Sequence, residues 1–498
     1  MQLSKSDYTT YLKHPAWLWI KKHAKQMLPP IDAGLQAIFD TGHEFEQYAE
    51  VQFPGAVTLG FNDYKSYLSL PTRTTEALEN GAKTIFQGRF EAGDLTFICD
   101  IIQVVGEMEI DLYEIKSTAS AKPEHSTDLA FQMVVLEQCG FSVRNIYVIH
   151  VDSHYVRRGD IEPEKLTATT DVTEAVKDLR DYTLEKIDEA LEIMALPDCP
   201  DTSPLLADKT AFKDWLAIYK HMKKTKPGSI YDLCQLNAET LQNLQNDDIE
   251  FIKDIPLDYA LKTKQALQVQ AAKNGVGIDA EKINEFLGQF EFPLYFLDYE
   301  TMGSLVPYFD GLSPFQQLPF QYSLHILDSP DAILRHEEYL HNDNSNPAEP
   351  LSKTLQSHIG DKGTVLAWNM SFEKRCNTML GELVPEYAEF YEKINDRIVD
   401  LMVPFSSNWY VDAAFKGSAS IKNVLPVLVP ELSYKDLGIQ EGQAASRIWT
   451  ETVLNDKNES EKPQILSDLL EYCKLDTLAM VEIYRKLSLI TALKQNSQ

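Results

Sequence analysis

The order of apolar and polar positions along the chain predicts three successive regions. In residues 1–222, helical periodicity alternates with short runs of β-branched residues, which predicts an α/β domain. Residues 223–290 are polar with a helical period and are interrupted by prolines, so a helical connector is expected. Residues 291–498 return to apolar strands followed by helices, which predicts a second α/β domain. The expected strands include Leu95–Val105, Ile110–Ile115, Asn145–Val151, Leu294–Leu297, Tyr322–Leu327 and Thr364–Ala367.

Carboxylates follow the strands of the second α/β domain. Asp298 and Glu300 come directly after its first apolar strand and share one face, because side chains alternate along a strand. A later strand is followed by Asn369 and Glu373. A solvent-exposed strand end is the simpler interpretation of Asp298 and Glu300 alone, but acids after two strands favour a common site.

A further pair lies near the C-terminus. Tyr472 and Asp476 are four residues apart on a predicted helix and therefore share a face. Together, Asp298, Glu300, Glu373 and Asp476 supply the carboxylate oxygens that a pair of Mg²⁺ or Mn²⁺ ions prefers. Tyr472 is expected to hold the attacking water in line with a phosphorus atom. The sequence thus predicts a site for hydrolysis of phosphodiesters.

These three groups, in this order, resemble the motifs of a known superfamily. They read Asp298-x-Glu300, Asn369-x-x-Phe372-Glu373 and Tyr472-x-x-x-Asp476, and they resemble the tyrosine-bearing DEDDy branch of the ribonuclease H-like DEDD exonucleases. The resemblance implies a ribonuclease H-like fold and 3′–5′ exonuclease activity for roughly residues 290–490. The family usually has Asp where this chain has Glu373. Asp400 is an alternative carboxylate, although a helix cap or structural acid is its preferred interpretation.

Two lysines and one asparagine are candidates for substrate binding. Lys416 and Lys422 enclose a Gly-Ser-Ala-Ser-Ile stretch, whose backbone amides, with the lysines, would bind a phosphate. A glycine-rich loop before a helix is an equally good interpretation of the same stretch. Asn369, at the start of the second motif, is assigned to substrate binding with these lysines.

A second set of polar residues lies in the N-terminal α/β domain. The strand 96–99 ends at Asp100, and the strand 110–113 ends at Glu114 and Lys116, which share a face. A hairpin of these strands would place Asp100 beside the other two. Carboxylates that hold a divalent ion, with a lysine that helps water attack, are the groups that phosphodiester hydrolysis needs. A surface ion pair is the simpler interpretation of Glu114 and Lys116 alone.

When two residues on predicted helices are added, this set resembles the motifs of a second family. With Glu46 on an upstream helix and Gln132 on a downstream helix, the order resembles RecB-type PD-(D/E)XK nucleases, including their CRISPR-associated members. The resemblance implies that Glu46, Asp100 and Glu114 bind metal, and that Lys116 and Gln132 support catalysis. His43 is a less favoured ligand than Glu46.

The chain departs from that family at two positions. Leu136 stands where many members have a tyrosine, and His14 stands where many have the first cysteine of an iron–sulfur cluster. The region 198–224, where the other cysteines would fall, contains only Cys199. Because such a cluster needs four thiolates, no iron–sulfur cluster is expected.

The composition of the chain restricts the binding partners and the cellular location that are expected for it. The chain has 75 acidic and 46 basic residues, a net charge of −29, which argues against passive adhesion to nucleic acid or to an anionic membrane. No apolar run reaches the length of about 20 residues that spans a bilayer. The six cysteines form no C-x-x-C pair, and the N-terminus is polar and lacks a signal-peptide pattern. A cytoplasmic protein without a membrane partner is expected.

The two halves together resemble a bacterial family that fuses a RecB-like nuclease domain to a ribonuclease H-like exonuclease domain. The resemblance implies a two-site, metal-dependent nuclease acting on DNA, or on RNA, in repair, recombination or defence. Two alternatives stay open. One is a nucleic-acid-binding scaffold whose nuclease sites have decayed, and the other is an exonuclease for RNA or small oligonucleotides that uses only the C-terminal site. The sequence does not predict protein partners.

Overall fold

The computed structural model describes residues 1–30 and 44–495. These residues form a mixed α/β protein, which confirms the predicted fold class at that level. The chain divides into two compact units. The first unit comprises Met1–Thr225 with Leu305–Phe315, and the second comprises Lys226–Ser304 with Gln316–Gln498. The segment predicted as a helical connector therefore lies almost entirely in the second unit.

The described part of the first unit contains both helices and strands. Its helices are α1 (Lys5–Lys13), α2 (Pro15–His23), α3 (44–50), α4 (Tyr64–Glu79), α5 (Pro123–Gln138), α6 (Pro163–Leu166), α7 (Thr173–Lys177), α8 (Arg180–Ala195) and α9 (Phe212–Lys223). Its strands are β1 (Leu3–Ser4), β2 (Val57–Thr58), β3 (Thr84–Phe86), β4 (Arg89–Ala92), β5 (Leu95–Ile98), β6 (Ile101–Val104), β7 (Glu109–Lys116), β8 (Ser142–Val151) and β9 (Thr167–Asp171).

These strands form two sheets. Six strands pair in the order β2-β3-β6-β7-β8-β9, and three pair in the order β1-β5-β4. The predicted strand 95–105 is thus two strands, since β5 and β6 belong to different sheets. The predicted hairpin of 96–99 with 110–113 is wrong, because β7 pairs with β6, where Ile101 lies opposite Tyr113. Asp100 still lies next to β7, since it directly precedes β6 and its Oδ2 accepts a hydrogen bond from the backbone amide of Ile115 in β7.

The second unit is built around a five-stranded sheet. Its helices are α10 (Ala238–Asn246), α11 (Thr263–Asn274), α12 (Ala280–Leu287), α13 (Ala348–His358), α14 (Met370–Leu383), α15 (Ala388–Arg397), α16 (Val403–Ser406), α17 (Ile421–Leu428), α18 (Gly442–Trp449) and α19 (Lys462–Gln495). Its strands are β10 (Gly277–Ile278), β11 (Leu294–Met302), β12 (Leu318–Leu327), β13 (Arg335–Leu340), β14 (Thr364–Ala367), β15 (Ile398–Asp400) and β16 (Tyr410–Val411).

The five strands of the main sheet in the second unit pair in the order β13-β12-β11-β14-β15. β11, β12 and β13 are antiparallel neighbours, whereas β14 and β15 run parallel to β11. Every residue of β12 is buried, as expected for a strand whose two faces are both covered. Because β11 and β14 are parallel, their carboxyl ends meet at one edge of the sheet.

Helices cover this sheet through apolar side chains. Phe296 of β11 and Leu366 of β14 share one buried cluster with Met480 and Val481 of α19. The middle of α19 is therefore fixed against the strands whose ends carry the acidic residues. Among the described residues, no helix is both long enough and apolar enough to cross a membrane.

Candidate active site

The sheet edge of the second unit brings two acids of the first motif together. Asp298 and Glu300 lie two residues apart in β11, opposite Ser323 and Gln321 of β12. β11 is longer than the sequence predicts and continues to Met302, so Glu300 lies within the strand rather than after it. Only 7% of the surface of Glu300 is exposed.

The third acid lies in the first turn of the helix that follows β14. Asn369 adopts a left-handed backbone conformation with φ of 74° and turns the chain from β14 into α14. Glu373 then falls in the first turn of α14 and is 2% exposed. It lies near enough to Asp298 for its charge to raise the pKa of that carboxyl.

Helix α19 supplies the fourth acid. Tyr472, Cys473 and Asp476 are all buried. The sulfur of Cys473 lies 3.8 Å from Oδ2 of Asp298, and within the described chain the ligand atoms of Asp298, Glu300 and Cys473 all lie within 4.8 Å of one another. Burial raises the pKa of the Cys473 thiol well above its usual value. In the metal-free chain the protonated sulfur is placed to donate a weak hydrogen bond to Asp298.

Burial raises the pKa values of all four acids, and repulsion by other acids of the site adds to this effect at Asp298 and Glu300. Burial is the main cause of the raised pKa of Asp298, and the charges of Asp476, Glu300 and Glu373 add to it. The pKa of Glu300 rises to about 8 because of burial and the charge of Asp476. Burial likewise raises the pKa of Glu373 to about 8 and that of Asp476 to about 6. We call Asp298, Glu300, Glu373 and Asp476 the carboxylate cluster.

Of the four acids, Asp298 and Glu300 belong with Cys473 to a group of three ligand atoms within 4.8 Å of one another, whereas Glu373 and Asp476 belong to no such group among the described residues. The donor chemistry of the carboxylate cluster fits Mg²⁺ or Mn²⁺. Its donors are carboxylate oxygens, which these hard cations prefer. Oε2 of Glu373 is buried and has no hydrogen-bond partner among the described residues. A buried oxygen of this kind loses free energy unless a cation or donor satisfies it. A divalent cation would also offset the repulsion that contributes to the raised pKa values of Asp298 and Glu300.

Asp400 lies close to the carboxylate cluster but has different partners. Its Oδ1 accepts hydrogen bonds from the backbone amides of Asn369 and Met402, both at 3.0 Å. Asp400 lies at the end of β15, opposite Ala367 of β14. These contacts hold the turn between β14 and α14, which is the role of a structural acid.

The contacts of Glu373 and Asp400 predict that loss of charge affects Mn²⁺ binding at Glu373 but not at Asp400. We expect Glu373→Gln to weaken Mn²⁺ binding by at least about tenfold, because it removes a ligand charge, and Asp400→Asn to leave Mn²⁺ binding nearly unchanged, because its Oδ1 still accepts both amide hydrogen bonds. Isothermal titration with Mn²⁺ measures both. Loss of Mn²⁺ binding in Asp400→Asn, with wild-type binding in Glu373→Gln, would show that Asp400 is the metal ligand and Glu373 is not.

Two residues join the carboxylate cluster from the segment before α19. The hydroxyl of Tyr434 donates a hydrogen bond of 2.6 Å to Oδ1 of Asp476. Nζ of Lys422 lies 5.8 Å from the ring centroids of both Tyr434 and Tyr472, and its charge lowers the pKa values of Glu300 and Asp476. Sequence reasoning missed Tyr434, which carries no motif and lies 42 residues before its partner.

The other predicted substrate-binding residues lie on turns of the second unit. Lys416 is exposed, with a left-handed φ of 53°, directly before Gly417. A side chain at Gly417, whose φ is 68°, would overlap the side chain of Cys234. The side-chain oxygen of Asn369 accepts a hydrogen bond from the hydroxyl of Ser371.

In the first unit, Glu114 is the centre of a second polar cluster. It is 1% exposed. Its Oε1 accepts hydrogen bonds from Nζ of Lys5 at 2.8 Å and Nζ of Lys116 at 2.7 Å, and its Oε2 accepts one from Nε2 of Gln132 at 2.7 Å. The two ammonium groups hold the pKa of Glu114 far below its usual value, against the effect of burial.

Two aspartates complete this cluster. Oδ2 of Asp100 accepts a hydrogen bond from the backbone amide of Ile115 at 2.8 Å, while burial and the charge of Glu114 raise its pKa to about 7. Oδ2 of Asp128 lies 3.1 Å from Nζ of Lys116. Sequence reasoning missed Lys5 and Asp128, which enter from α1 and α5. We call Lys5, Asp100, Glu114, Lys116, Asp128 and Gln132 the lysine–carboxylate cluster.

Glu46 lies on α3, whose neighbouring residues pack on the six-stranded sheet. Phe45 and Ala49 share a buried cluster with Ile101 and Ile115. Glu46 is half-buried, and it forms no group of three ligand atoms within 4.8 Å with other described acids, histidines or cysteines. His43 lies outside the described residues.

The two positions that depart from the RecB-type pattern are both in packed cores. Leu136 is fully buried against the sheet. His14 is also fully buried; its ring stacks on Trp215 with centroids 3.9 Å apart, and its Nδ1 accepts a hydrogen bond from the amide of Ala16 at α2. Cys199 is exposed. Aromatic packing thus occupies the position where the resemblance places a cluster cysteine.

Comparison with known proteins identifies one family match and several relatives. A domain of unknown function, DUF2779, matches residues 295–420, a range that includes Asp298, Glu300 and Glu373 but ends before Asp476. The chain is 27% identical over 207 residues to the uncharacterized protein MG366 of Mycoplasma genitalium, covering 38% of this chain and 31% of that protein.

Two further relatives match longer segments. The MG366 homolog of Mycoplasma pneumoniae is 26% identical over 284 residues, which is 53% of this chain and 41% of that protein. The uncharacterized protein UU173 of Ureaplasma parvum is 25% identical over 310 residues, which is 56% of this chain and 43% of that protein. The chain spans less than half the length of each of these relatives.

Proposed function

We propose that the second unit is a metal-dependent exonuclease that releases nucleotides from the 3′ ends of nucleic acid, preferably DNA. The observation that carries the proposal is the carboxylate cluster. Four acids from β11, α14 and α19 lie at one sheet edge, three of them buried and Asp298 partly exposed, although desolvation opposes the ionisation of each. A protein retains such an arrangement at a cost in stability, and a bound cation is the simplest compensation.

The architecture around the carboxylate cluster supports the same proposal. The sheet order β13-β12-β11-β14-β15, with two strands parallel to β11, is the order expected for a ribonuclease H-like domain. In the family that the motifs resemble, the acids occupy the first strand, the segment after the fourth strand and the last helix. β11, α14 and α19 correspond to these three places.

Each residue of the site has a part in the proposed reaction. Asp298, Glu300, Glu373 and Asp476 would hold divalent ions, which supply positive charge at the scissile phosphate and lower the pKa of water. Tyr472, one helical turn before Asp476, would orient the attacking water. Tyr434 holds the carboxylate of Asp476 in place through its 2.6 Å hydrogen bond. Lys422 would attract the phosphate backbone of the substrate.

Removing the hydroxyl of Tyr472 is expected to affect the rate of hydrolysis but not the binding of metal. We expect Tyr472→Phe to bind Mn²⁺ like the wild type, because every carboxylate remains, but to hydrolyse more slowly by up to about 100-fold, because the water is less well oriented. Single-turnover rates at saturating Mn²⁺ measure the effect. A wild-type rate in Tyr472→Phe would exclude the hydroxyl from the reaction.

The proposal is tested by incubating the purified protein with single- and double-stranded DNA and RNA. Each substrate is tested with Mg²⁺, with Mn²⁺ and with a chelator. We expect mononucleotides to appear with either metal and to be absent with the chelator, and DNA to be degraded faster than RNA. Release of nucleotides in the chelator, or no release from any substrate with either metal, would contradict the proposal.

The first unit contains the residue types of a second nuclease site, but Glu114 and Asp128 form ion pairs with Lys5 and Lys116. The proposed exonuclease therefore depends on the second unit alone. A cytoplasmic location is proposed as well, because all six cysteines are free thiols, the state expected in a reducing compartment.

A further inference from the structure

Lys5 forms direct ion pairs inside the lysine–carboxylate cluster. Its Nζ lies 2.8 Å from Oε1 of Glu114 and 3.6 Å from Oδ2 of Asp128. The side chain of Lys5 is 23% exposed and that of Glu114 is 2% exposed, so the pair is largely shielded from water. Lys5 and Lys116 thus bind the same carboxylate from two different elements.

The backbone around Lys5 is firmly anchored. Lys5 is the first residue of α1, and Ser4 and Asp7 cap that helix reciprocally. Asp7 in turn forms ion pairs with Lys21 at 2.9 Å and Lys22 at 2.5 Å, both on α2. The ammonium group of Lys5 is therefore delivered to Glu114 by a fixed helix end and not by a mobile terminus.

The two lysines leave little room for a divalent ion at Glu114. Both oxygens of Glu114 already accept hydrogen bonds, from Lys5, Lys116 and Gln132. A divalent ion bound to either oxygen would lie within a few ångströms of two ammonium groups, which repel it. The present arrangement of the first unit therefore does not fit a metal at Glu114, unlike the carboxylate cluster of the second unit.

We propose that Lys5 replaces a divalent cation in the lysine–carboxylate cluster, so that the first unit binds neither Mg²⁺ nor Mn²⁺ while Lys5 is present. Three carboxylates and two ammonium groups give the cluster a formal charge of −1 when all are ionised. Neutralising Lys5 changes this charge to −2, which a divalent ion matches. Lys5 is thus the residue that decides which cation the cluster holds.

The proposal is tested by titrating the full chain with Mn²⁺ in an Asp298→Asn/Asp476→Asn background, which disables the carboxylate cluster. We expect no Mn²⁺ binding in this background. Adding Lys5→Met, which keeps the length of the side chain without its charge, should create one Mn²⁺ site per chain and raise the melting temperature in Mn²⁺. Adding Glu114→Gln as well should abolish that site.

Two matched variants serve as controls in the same background. Lys5→Arg keeps the positive charge, and Lys21→Met removes a lysine that pairs with Asp7 outside the cluster, so neither should create a site. Stoichiometric Mn²⁺ binding in the background protein that disappears with Glu114→Gln would overturn the proposal, whether or not Lys5→Met folds. A folded Lys5→Met variant without a site would also overturn it. Failure of the exonuclease proposal would instead appear as the absence of Mn²⁺ binding in the wild-type chain.

Discussion

Asp298→Asn is expected to abolish nucleotide release and to leave the metal-free protein at least as stable as the wild type. The variant removes a ligand charge from the carboxylate cluster. Loss of residues that merely support metal ligands costs about 10–100-fold in affinity or activity, so loss of a ligand should reduce the rate by at least about 100-fold. The same change relieves repulsion in the metal-free cluster.

The effect of Asp298→Asn on stability depends on pH. The folded-state pKa values of Glu300 and Glu373 are raised to about 8 and that of Asp476 to about 6. Groups with raised pKa values contribute stability at low pH that is lost as the pH rises through those values. The metal-free wild type should therefore lose stability between about pH 4 and pH 8, and the variant should lose less.

Thermal melts in a chelator at pH 5 and pH 8 measure this difference. At pH 8 the variant should melt at the same temperature as the wild type or higher, and at pH 5 its advantage should shrink. Mn²⁺ should raise the melting temperature of the wild type much more than that of the variant. A metal-free variant that melts well below the wild type at pH 8 would show that Asp298 has a structural role instead.

Glu114→Ala is expected to destabilise the first unit strongly. It removes the shared partner of Lys5 and Lys116 and leaves both ammonium groups in a largely buried place. Breaking a buried ion pair by removing one partner typically costs about 3–5 kcal/mol. Because the two lysines still have Asp128 nearby, the lower end of that range, about 3 kcal/mol, is expected for the free energy of unfolding.

Chemical denaturation of the full chain measures this change, with Glu162→Ala as a matched control. Glu162 forms an ion pair with Lys165 at 2.6 Å, but the side chain of Lys165 is 62% exposed and that of Glu162 is 44% exposed, so its loss should change stability far less. Combining Glu114→Ala with Lys5→Met should restore part of the lost stability, because one unpaired charge is removed with its partner. Equal stability of Glu114→Ala and Glu162→Ala would contradict the structural account of the cluster.

Sequence reasoning succeeded where the signal is local. The strand predicted at 364–367 is observed with the same limits as β14, and the mixed α/β fold class is confirmed. Alternation predicts that Asp298 and Glu300 share one face, although the predicted strand ends before them and the observed β11 includes them. The helical period places Tyr472 and Asp476 on one helix, as observed in α19. Their roles as metal ligands and as a catalytic hydroxyl stay predictions.

Sequence reasoning failed where partners are far apart in the chain. Lys5 and Glu114 are 109 residues apart, and Tyr434 and Asp476 are 42 residues apart, so no periodicity or spacing links them. The strand predicted over 95–105 also fails for a tertiary reason. Its two halves pair with different sheets, and the chain turns at Asp100.

The central claim is that the carboxylate cluster of the second unit removes nucleotides from 3′ ends, and a ladder assay with 5′-labelled single-stranded DNA tests it most directly. In Mg²⁺ the wild type should shorten the labelled strand one nucleotide at a time. Asp328→Asn, which changes an exposed aspartate paired with Arg335, should give the same ladder, and Asp298→Asn should give none. A ladder that persists in Asp298→Asn, or a label released first as a short 5′ product, would contradict the account.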